Sequence, residues 1–314
     1  MIESRSAGFQ PAAAFECGAA RNAASGAYDQ CTAIQHSSVG ALQIHRQFYV
    51  NQFSGFWDAL APHHAVLEDN YFDLASLRHK LQEIRSHVLV VGAGQGLIVA
   101  ELRKEGFQCD GVDLSSEMVR YAKLRRGITL VRADAKAMPF AGRTYGTVIY
   151  ATGVIDFTAD EEGIRMMLAE GRRIVKDSGK MIIAFYKLSA ALESFMGRVG
   201  LLSDNEMAFR QSLELYLLNP AQMITWVARK AGLSYFRAVT AMLRMTALST
   251  MQERRMTFKT QRIFRNMSDP RSLINAAPEK QPYRNQGEIV NLFKRLGIPI
   301  KQIETLGSCY IVRI

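Results

Sequence analysis

The hydrophobic pattern of this chain changes in character near residue 88, and the change predicts a different kind of structure. The apolar residues between Tyr71 and Ile84 recur at helical spacing. Val88–Val91 is instead a run of four consecutive aliphatic residues, which is typical of a strand buried on both faces. Similar runs predict four more strands, of which the second ends at Asp113 and the others span Ile128–Val131, Thr147–Ala151 and Met181–Phe185.

Helices are predicted between these strands. The pattern of Leu97–Lys104 is helical and ends before Gly106, and Ser115 is placed to cap a second helix. A third helix is expected from Glu161 to Val175. Strands that alternate with helices of this length predict a parallel sheet with right-handed crossovers.

The end of the chain completes the predicted sheet. A helix is expected over Glu288–Leu296, followed by strands over Ile298–Glu304 and Ser308–Ile314. The short Leu306-Gly307 turn between these strands predicts that they are antiparallel. We therefore expect an α/β, Rossmann-like fold with a seven-stranded, mostly parallel sheet, an antiparallel C-terminal strand, and a helical insert between strand 5 and the last helix.

Four segments follow from this pattern. Residues 1–40 are rich in Ala, Gly and Ser, and they predict a disordered tail. Residues 41–186 are expected to hold N-terminal helices, with aromatic residues from Phe48 to Trp57, and most of the ligand-binding core. Residues 187–286 have a helical pattern and predict an inserted subdomain, because a structureless loop of this length inside a domain is rare. Residues 287–314 are expected to complete the core.

Composition narrows the class of protein. The chain has no apolar run long enough to span a membrane and no secretory signal, and none of its four cysteines forms a CxxC pair. These features predict a cytoplasmic protein without a metal site. Its net charge of +10 favours an anionic partner, although a solvated basic surface gives the same charge.

The segment after the first strand is a candidate ligand loop. It reads Gly92-Ala93-Gly94-Gln95-Gly96 and lies between a buried strand and a helix. Glycines let the chain turn sharply and let its backbone approach a ligand, although a purely structural turn also explains them. A dinucleotide fingerprint needs Gly or Ala at the sixth position, where this chain has Leu97.

Two carboxylates follow the next two strands. Asp113 ends strand two and is suited to accept hydrogen bonds from both hydroxyls of a ribose, or else it caps a helix. Asp134 follows strand three and is suited to accept from an exocyclic amine such as that of adenine, or else it makes its own turn. Together with the loop, they place polar groups at the carboxyl ends of three successive strands, where ligands bind in this architecture.

These motifs resemble the class I S-adenosylmethionine-dependent methyltransferases. The resemblance rests on Val88–Gly96, Gly111–Ser115, Asp134 with Met138-Pro139-Phe140, and Arg173–Ala184. It is closest to the small-molecule group that includes the ubiquinone and menaquinone biosynthesis enzymes. It covers residues 81–186 well.

The resemblance implies roles for individual residues. S-adenosylmethionine is the expected cofactor, with its methionine and ribose held by Gly92, Ala93, Gly94, Gln95 and Gly96. Asp113 with Leu114 is expected at the ribose, and Asp134 with the Ala135 backbone at the adenine. Ala151 and Thr152 are expected beside the cofactor. The substrate is expected near Gly153, Tyr186 and Trp226.

A catalytic base is not identified by the pattern. Asp156, Tyr186, His63 and His64 are candidates because they lie near strand ends or in the N-terminal segment. Methyltransferases that modify base nitrogens carry Asn or Asp before Pro-Pro after strand four, where this chain reads Ala151-Thr152-Gly153. The sequence therefore argues against nucleic acid and favours a small-molecule substrate.

The insert gives the substrate its expected character. Residues 187–286 contain 15 Lys and Arg against 7 Asp and Glu, and 8 of the 14 methionines. This composition predicts a helical lid over an apolar or amphipathic, acidic substrate, or contact with an anionic membrane surface. An ordinary methionine-containing core with a basic exterior is the alternative. An NAD(P)-dependent oxidoreductase, an RNA methyltransferase and a noncatalytic binding module also stay open, and the oligomeric state is not predicted.

Overall fold

The computed structural model describes most of the chain from residue 54 onward. The described residues are 54–65, 81–155, 157–158, 160–187, 194, 198, 210, 213, 217–249, 251–278, 285–306 and 309–314. The predicted tail over residues 1–40, the aromatic residues from Phe48 to Phe53, most of the helix predicted from Tyr71 and the candidate base Asp156 lie outside them.

The centre of the protein is a seven-stranded sheet in the order β3-β2-β1-β4-β5-β7-β6. β1 to β5 are parallel, and β7 is antiparallel to both β5 and β6. The fold class predicted from the sequence is confirmed. The strands are β1 (Val88–Val91), β2 (Cys109–Asp113), β3 (Val131–Arg132), β4 (Tyr145–Tyr150), β5 (Val175–Tyr186), β6 (Gln302–Leu306) and β7 (Cys309–Arg313).

Helices lie on both faces of the sheet and in the insert. A 3₁₀ turn (Leu81–Glu83) precedes β1. The helices are α1 (residues 54–64), α2 (Leu97–Lys104), α3 (Ser116–Arg126), α4 (Glu161–Ile174), α5 (Pro220–Ala231), α6 (Tyr235–Leu248), α7 (Met251–Asn266), α8 (Pro270–Ala276) and α9 (Gln286–Leu296).

The alternation of side chains along β1 divides the core into two layers. Leu89 and Val91 join a cluster with residues of α4 and α9, such as Ile164 and Phe293. Val88 and Val90 point to the other face, where they join residues of α2 and α3. Because both faces are covered, β1 is apolar at every position and is fully buried.

Three strands differ from their predicted bounds by more than two residues, and one of them is the sixth, which spans Gln302–Leu306 rather than Ile298–Glu304. The third strand begins at Val131 rather than Ile128, because Ile128 continues the turn that ends α3, its N–H donating to Ala122 O at 3.3 Å. The fifth strand begins at Val175, where it pairs with Tyr145, and the pairing resumes at Lys180 after an irregularity.

The insert contains two separate apolar clusters. Residues of α7 and α8 pack with α1 in one cluster, which includes Phe56, Leu60, Phe264 and Leu273. The helices α5 and α6 pack against each other in the other cluster, around Val227. Within the part of the chain that the structure describes, no helix has both the length and the apolar character to cross a membrane.

Candidate functional site

The glycine loop that follows β1 is a bend of bare backbone. Gly92, Gly94 and Gly96 all have positive φ angles, of 69°, 55° and 79°. This region favours glycine, because a Cβ collides there with the following carbonyl oxygen. Gly96 is the N-cap of α2 and provides no side-chain cap, so the first N–H groups of α2 point toward the bend. The start of α2 therefore presents backbone donors at the carboxyl end of β1.

Asp113 lies directly beside this bend. It ends β2, which pairs with β1, and its Oδ2 accepts the Gly94 N–H at 2.7 Å. Its Oδ1 accepts the Ser115 N–H at 2.9 Å. Each carboxylate oxygen has a further lone pair, so two backbone donors fix this side chain while leaving it able to accept from a ligand diol.

Burial sets the protonation of Asp113. The pKa of this carboxyl is raised to about 6, mainly because of burial and to a smaller extent because of nearby Asp58. The hydrogen bonds from Ser115 and Gly94 and the charge of His64 oppose this rise. The carboxyl is therefore ionised at neutral pH and becomes protonated in mild acid. A ligand that donates a hydrogen bond to the Asp113 carboxylate would favour its ionised form.

Asp134 follows β3, where both of the interpretations given above apply. Its Oδ1 accepts the Lys136 N–H at 2.9 Å, so the side chain makes its own turn. Ala133 N–H donates to Asp113 O at 3.1 Å, which ties this segment to the end of β2. Asp134 thus follows the strand that pairs with the end of β2, and Ala135 packs at the edge of the core. Leu114 lies half-buried after β2, where its carbonyl accepts from Arg132.

Ala93 and Gln95 in the glycine loop turn their side chains inward. Ala93 is buried, and Gln95 has no exposed surface. The Gln95 amide donates to Ala61 O, and its Oε1 accepts from Arg125 at 2.8 Å. The side chains of these two residues are therefore turned away from a ligand in the bend. Arg125 also donates to Pro62 O at 2.7 Å, so Gln95 and Arg125 together hold α1 against the loop.

The helix α1 closes over the site from the N-terminal side. Asp58 accepts from Ser115 Oγ at 2.6 Å and from Glu117 N at 3.0 Å, so α1 caps the start of α3. His64 lies next to the bend, since a Cβ built on Gly94 would be 3.2 Å from its Cε1. Asp58, Gln95 and Arg125 were not predicted in these roles, and their spacing in the sequence gives no signal for them.

The segment after β4 borders the candidate site on another side. Ala151 N–H donates to Val91 O at 2.9 Å, which places this segment beside the glycine loop. Gly153 has a φ of 93°, and a Cβ there would be 3.3 Å from the Trp57 ring. Trp57 also faces Phe157 and His64, with ring centroids 6.4 Å from each. Thr152 and Gly153 are thus next to an aromatic surface contributed by α1.

The remaining candidates are more dispersed. Tyr186 is half-buried at the end of β5, in register with Cys309. His63 lies next to Arg125, and burial, with the charge of that arginine, lowers the pKa of its imidazole. Trp226 packs in the α5–α6 cluster around Val227, which contains no residue of the glycine loop. No group of His, Cys, Asp and Glu suited to a metal ion occurs among the residues described.

We expect Gln95→Met to destabilise the protein by about 2 kcal/mol, because it leaves the buried Ala61 carbonyl without this donor and removes one acceptor from the exposed Arg125. Urea unfolding followed by circular dichroism measures the loss. The exposed Gln302→Met, on the edge strand β6, is the matched control and should change stability by less than about 0.5 kcal/mol. Equal effects of the two variants would contradict a structural role for Gln95.

Comparison with known proteins finds similarity to one family over the central part of the chain. The model of a family described as "Methyltransferase domain" matches residues 88–179. A demethylmenaquinone methyltransferase from Corynebacterium urealyticum is 33% identical over 97 residues, which cover 31% of this chain and 40% of that protein. An uncharacterized protein from Mycobacterium tuberculosis is 31% identical over 113 residues, 36% of each chain. The chain thus spans about two fifths of the length of the curated relatives it matches.

A likeness to solved structures extends further along the chain. A Rhodobacter sphaeroides protein described as a Zn-dependent alcohol dehydrogenase superposes with a TM-score of 0.51 at 11% identity, covering 84% of this chain and 97% of that one. At this identity the likeness concerns the fold alone. It agrees with a Rossmann-like sheet.

Proposed function

Since residues 88–179 form a class I S-adenosylmethionine-dependent methyltransferase domain, we propose that this protein binds S-adenosylmethionine and transfers its methyl group to a small molecule. The observation that carries the proposal is the contact between Asp113 and Gly94, which joins the carboxylate to the bare bend. A ribose diol fits against this carboxylate, and the backbone of the loop fits the methionine part of the cofactor.

The residues of this chain divide the work of binding. Asp113 accepts from the ribose hydroxyls, and the remaining oxygen of Asp134 with the Ala135 backbone holds the adenine. The N–H groups at the start of α2 hold the cofactor at its amino-acid end. Those of Gly94 and Gly96 already donate to Asp113 Oδ2 and to Ala93 O, and they fix the shape of the bend. The positive φ of Gly92 and the absence of side chains at three positions support this placement, because any Cβ there would narrow the bend.

The reaction needs alignment and exclusion of water more than it needs a catalytic side chain. S-adenosylmethionine supplies an activated methyl group on a sulfonium sulfur, which is displaced in line by the acceptor. Trp57 and Phe157 provide aromatic faces beside Gly153, and such faces stabilise a neighbouring cation. His64, between the bend and Trp57, is the described candidate best placed to take a proton from an acceptor.

We infer that the acceptor is an apolar or amphipathic small molecule. The aromatic side chains near Gly153 support this class of acceptor, and so do the demethylmenaquinone methyltransferases among the relatives. The insert supports it as well, because α7 and α8 share an apolar cluster with α1, the helix that carries Trp57. We propose that this part of the insert acts as a lid through α1.

Two measurements on the full chain test the proposal. Calorimetry should show binding of S-adenosylhomocysteine and none of NADH, and a methyl-release assay should show turnover with quinones or phenols. Binding of NADH instead would replace the proposal with an oxidoreductase. Binding of S-adenosylhomocysteine without turnover on any small molecule would point to a binding module, and methylation of RNA would replace the small-molecule substrate.

Cofactor affinity should depend on pH through Asp113. The pKa of this carboxyl is about 6, and a ribose diol donates to its ionised form. Affinity for S-adenosylhomocysteine should therefore fall about tenfold from about pH 7 to about pH 5. Calorimetry of Asp113→Asn over the same range is the control, and an equally steep loss in that variant would assign the pH dependence to another group.

A further inference from the structure

The helix α6 is apolar on its outward face as well as on its packed face. Ala238 and Ala241 are buried against α5. On the opposite side, Phe236 and Leu243 are 83% and 67% exposed, and Ala247 follows one turn later. These three residues lie in a narrow sector around the helix axis. A helix that faces water carries charged residues in this sector. A helix that is apolar on both faces indicates a second apolar partner.

The threonine hydroxyls on and beside this outward face donate hydrogen bonds to the backbone of their own helix. Thr240 Oγ1 donates to Phe236 O at 3.0 Å, and Thr246 Oγ1 donates to Met242 O at 3.0 Å. Because these hydroxyl donors are already satisfied, the face can enter an apolar medium without leaving them unpaired. This pattern suits partial burial in lipid acyl chains, for which free hydroxyls would be costly.

Cationic side chains flank the apolar face. Arg237 and Arg244 are one above the other, two turns apart, on one side of Phe236 and Leu243, and both are exposed. Residues 219–249 hold four basic residues (Arg229, Lys230, Arg237 and Arg244) and no Asp or Glu. Such a segment is complementary to a negatively charged surface and repels none of it.

The next helix repeats the combination. Met251 and Phe258 on α7 are 64% and 67% exposed, and Arg255 and Arg262 are exposed on the same side of the helix. Arg254 donates to Ser249 O and Ala247 O, so it joins the end of α6 to the start of α7. The exposed apolar residues are therefore a property of the segment as a whole rather than of one side chain.

From these observations we propose that the outward face of α6 docks on an anionic lipid bilayer, with Phe236 and Leu243 entering the acyl boundary and Arg237 and Arg244 at the lipid phosphates. RNA would satisfy the arginines, but its phosphates offer no apolar medium for Leu243 and Ala247. A second copy of this chain would bury the apolar residues while bringing like charges together. The lipid surface alone matches both features, and it is independent of the cofactor site.

Vesicle sedimentation with the full chain tests the docking surface. The protein should sediment with vesicles of phosphatidylcholine containing phosphatidylglycerol and should remain in solution with phosphatidylcholine alone. Phe236→Ser should lower the partition coefficient about tenfold, because it removes the aromatic side chain that would enter the acyl region of the bilayer. Arg237→Gln with Arg244→Gln should lower it more than tenfold, at about fivefold for each charge removed.

Matched controls separate this surface from general stickiness and charge. Leu124, on α3, is 65% exposed, and Leu124→Ser should leave the partition coefficient unchanged. Lys176→Gln with Lys301→Gln removes two exposed charges elsewhere and should have less than half the effect of the arginine pair. Binding of S-adenosylhomocysteine should be equal in all variants, so a failure here leaves the methyltransferase proposal intact.

Three results would overturn the proposal. The first is equal sedimentation with neutral and anionic vesicles, and the second is wild-type partition by Phe236→Ser. The third is evidence for a different partner. A second copy of the chain would be the partner if the wild type elutes as a dimer and Phe236→Ser elutes as a monomer. RNA would be the partner if it displaces the protein from vesicles and if Phe236→Ser binds RNA as tightly as the wild type.

Discussion

Replacing Asp113 with Ala should weaken the binding of S-adenosylhomocysteine about 100-fold, since a buried carboxylate loses two charge-assisted hydrogen bonds to the ribose at about 1.5 kcal/mol each. The structure adds a second cause. Gly94 N–H loses its acceptor at 2.7 Å, so the bend itself loses a fixed position. Calorimetric titration of the full chain measures the effect, and Asp113→Asn should give an intermediate loss, because its amide keeps the shape and one acceptor.

Asp110 offers a matched control for this variant. It lies on the same strand, β2, and also accepts two hydrogen bonds, from Tyr145 Oη at 2.9 Å and from His87 at 2.9 Å. It is near the opposite end of the strand from the bend, so Asp110→Ala should lower stability while leaving affinity unchanged. An Asp113→Ala protein that binds S-adenosylhomocysteine as tightly as the wild type would remove the basis of the proposed function.

The sequence predicted the sheet because its central strands, β1 and β4, are buried on both faces. In Val88–Val91 every position is apolar, as expected of a strand that is covered on both faces. The prediction of this strand therefore does not depend on deciding which face meets solvent. Capping residues predicted helix ends equally well. Ser115 Oγ accepts from Met118 N at 3.0 Å, and Gly106, which follows α2, has a left-handed conformation with a φ of 85°. These signals are local, and local signals can be read from one sequence.

The contacts of α1 could not be read in this way. Gln95 was predicted as part of the cofactor loop, whereas its side chain fixes α1 through Ala61 O. Asp58 and Ser115 are 57 residues apart in the chain, and only the folded sheet brings them together. Side-chain amides and carboxylates have many equivalent partners, so their pairing depends on tertiary packing that no spacing encodes.

Asp134 illustrates a pattern with two meanings. The sequence allowed either an adenine contact or a turn closed by its own side chain, and the turn is present, with Lys136 N–H at 2.9 Å. The turn uses one carboxylate oxygen, so the two interpretations are compatible. The role of Asp134 in cofactor binding stays a prediction, and so do the roles of Tyr186 and Trp226.

Gly92→Ala should destabilise the protein by about 4 kcal/mol, the largest loss of stability we expect from a single methyl group here. About half comes from a positive φ of 69°, which an L side chain rarely adopts, and the rest from overlap of the new Cβ with Cγ2 of Val154. Urea unfolding of the full chain measures it. Because the overlap pushes the segment after β4 away from the bend, affinity for S-adenosylhomocysteine should fall as well.

Gly127 separates the two causes. Its φ of 66° is nearly the same, and nothing lies within 4 Å of a Cβ built there, so Gly127→Ala should cost about 2 kcal/mol of strain without overlap. Adding Val154→Ala to Gly92→Ala removes the colliding methyl group and should recover about 2 kcal/mol relative to the sum of the single variants. Equal losses of stability for Gly92→Ala and Gly127→Ala, without recovery in the double variant, would show that Val154 does not pack against the bend. The segment after β4 would then not border the proposed site.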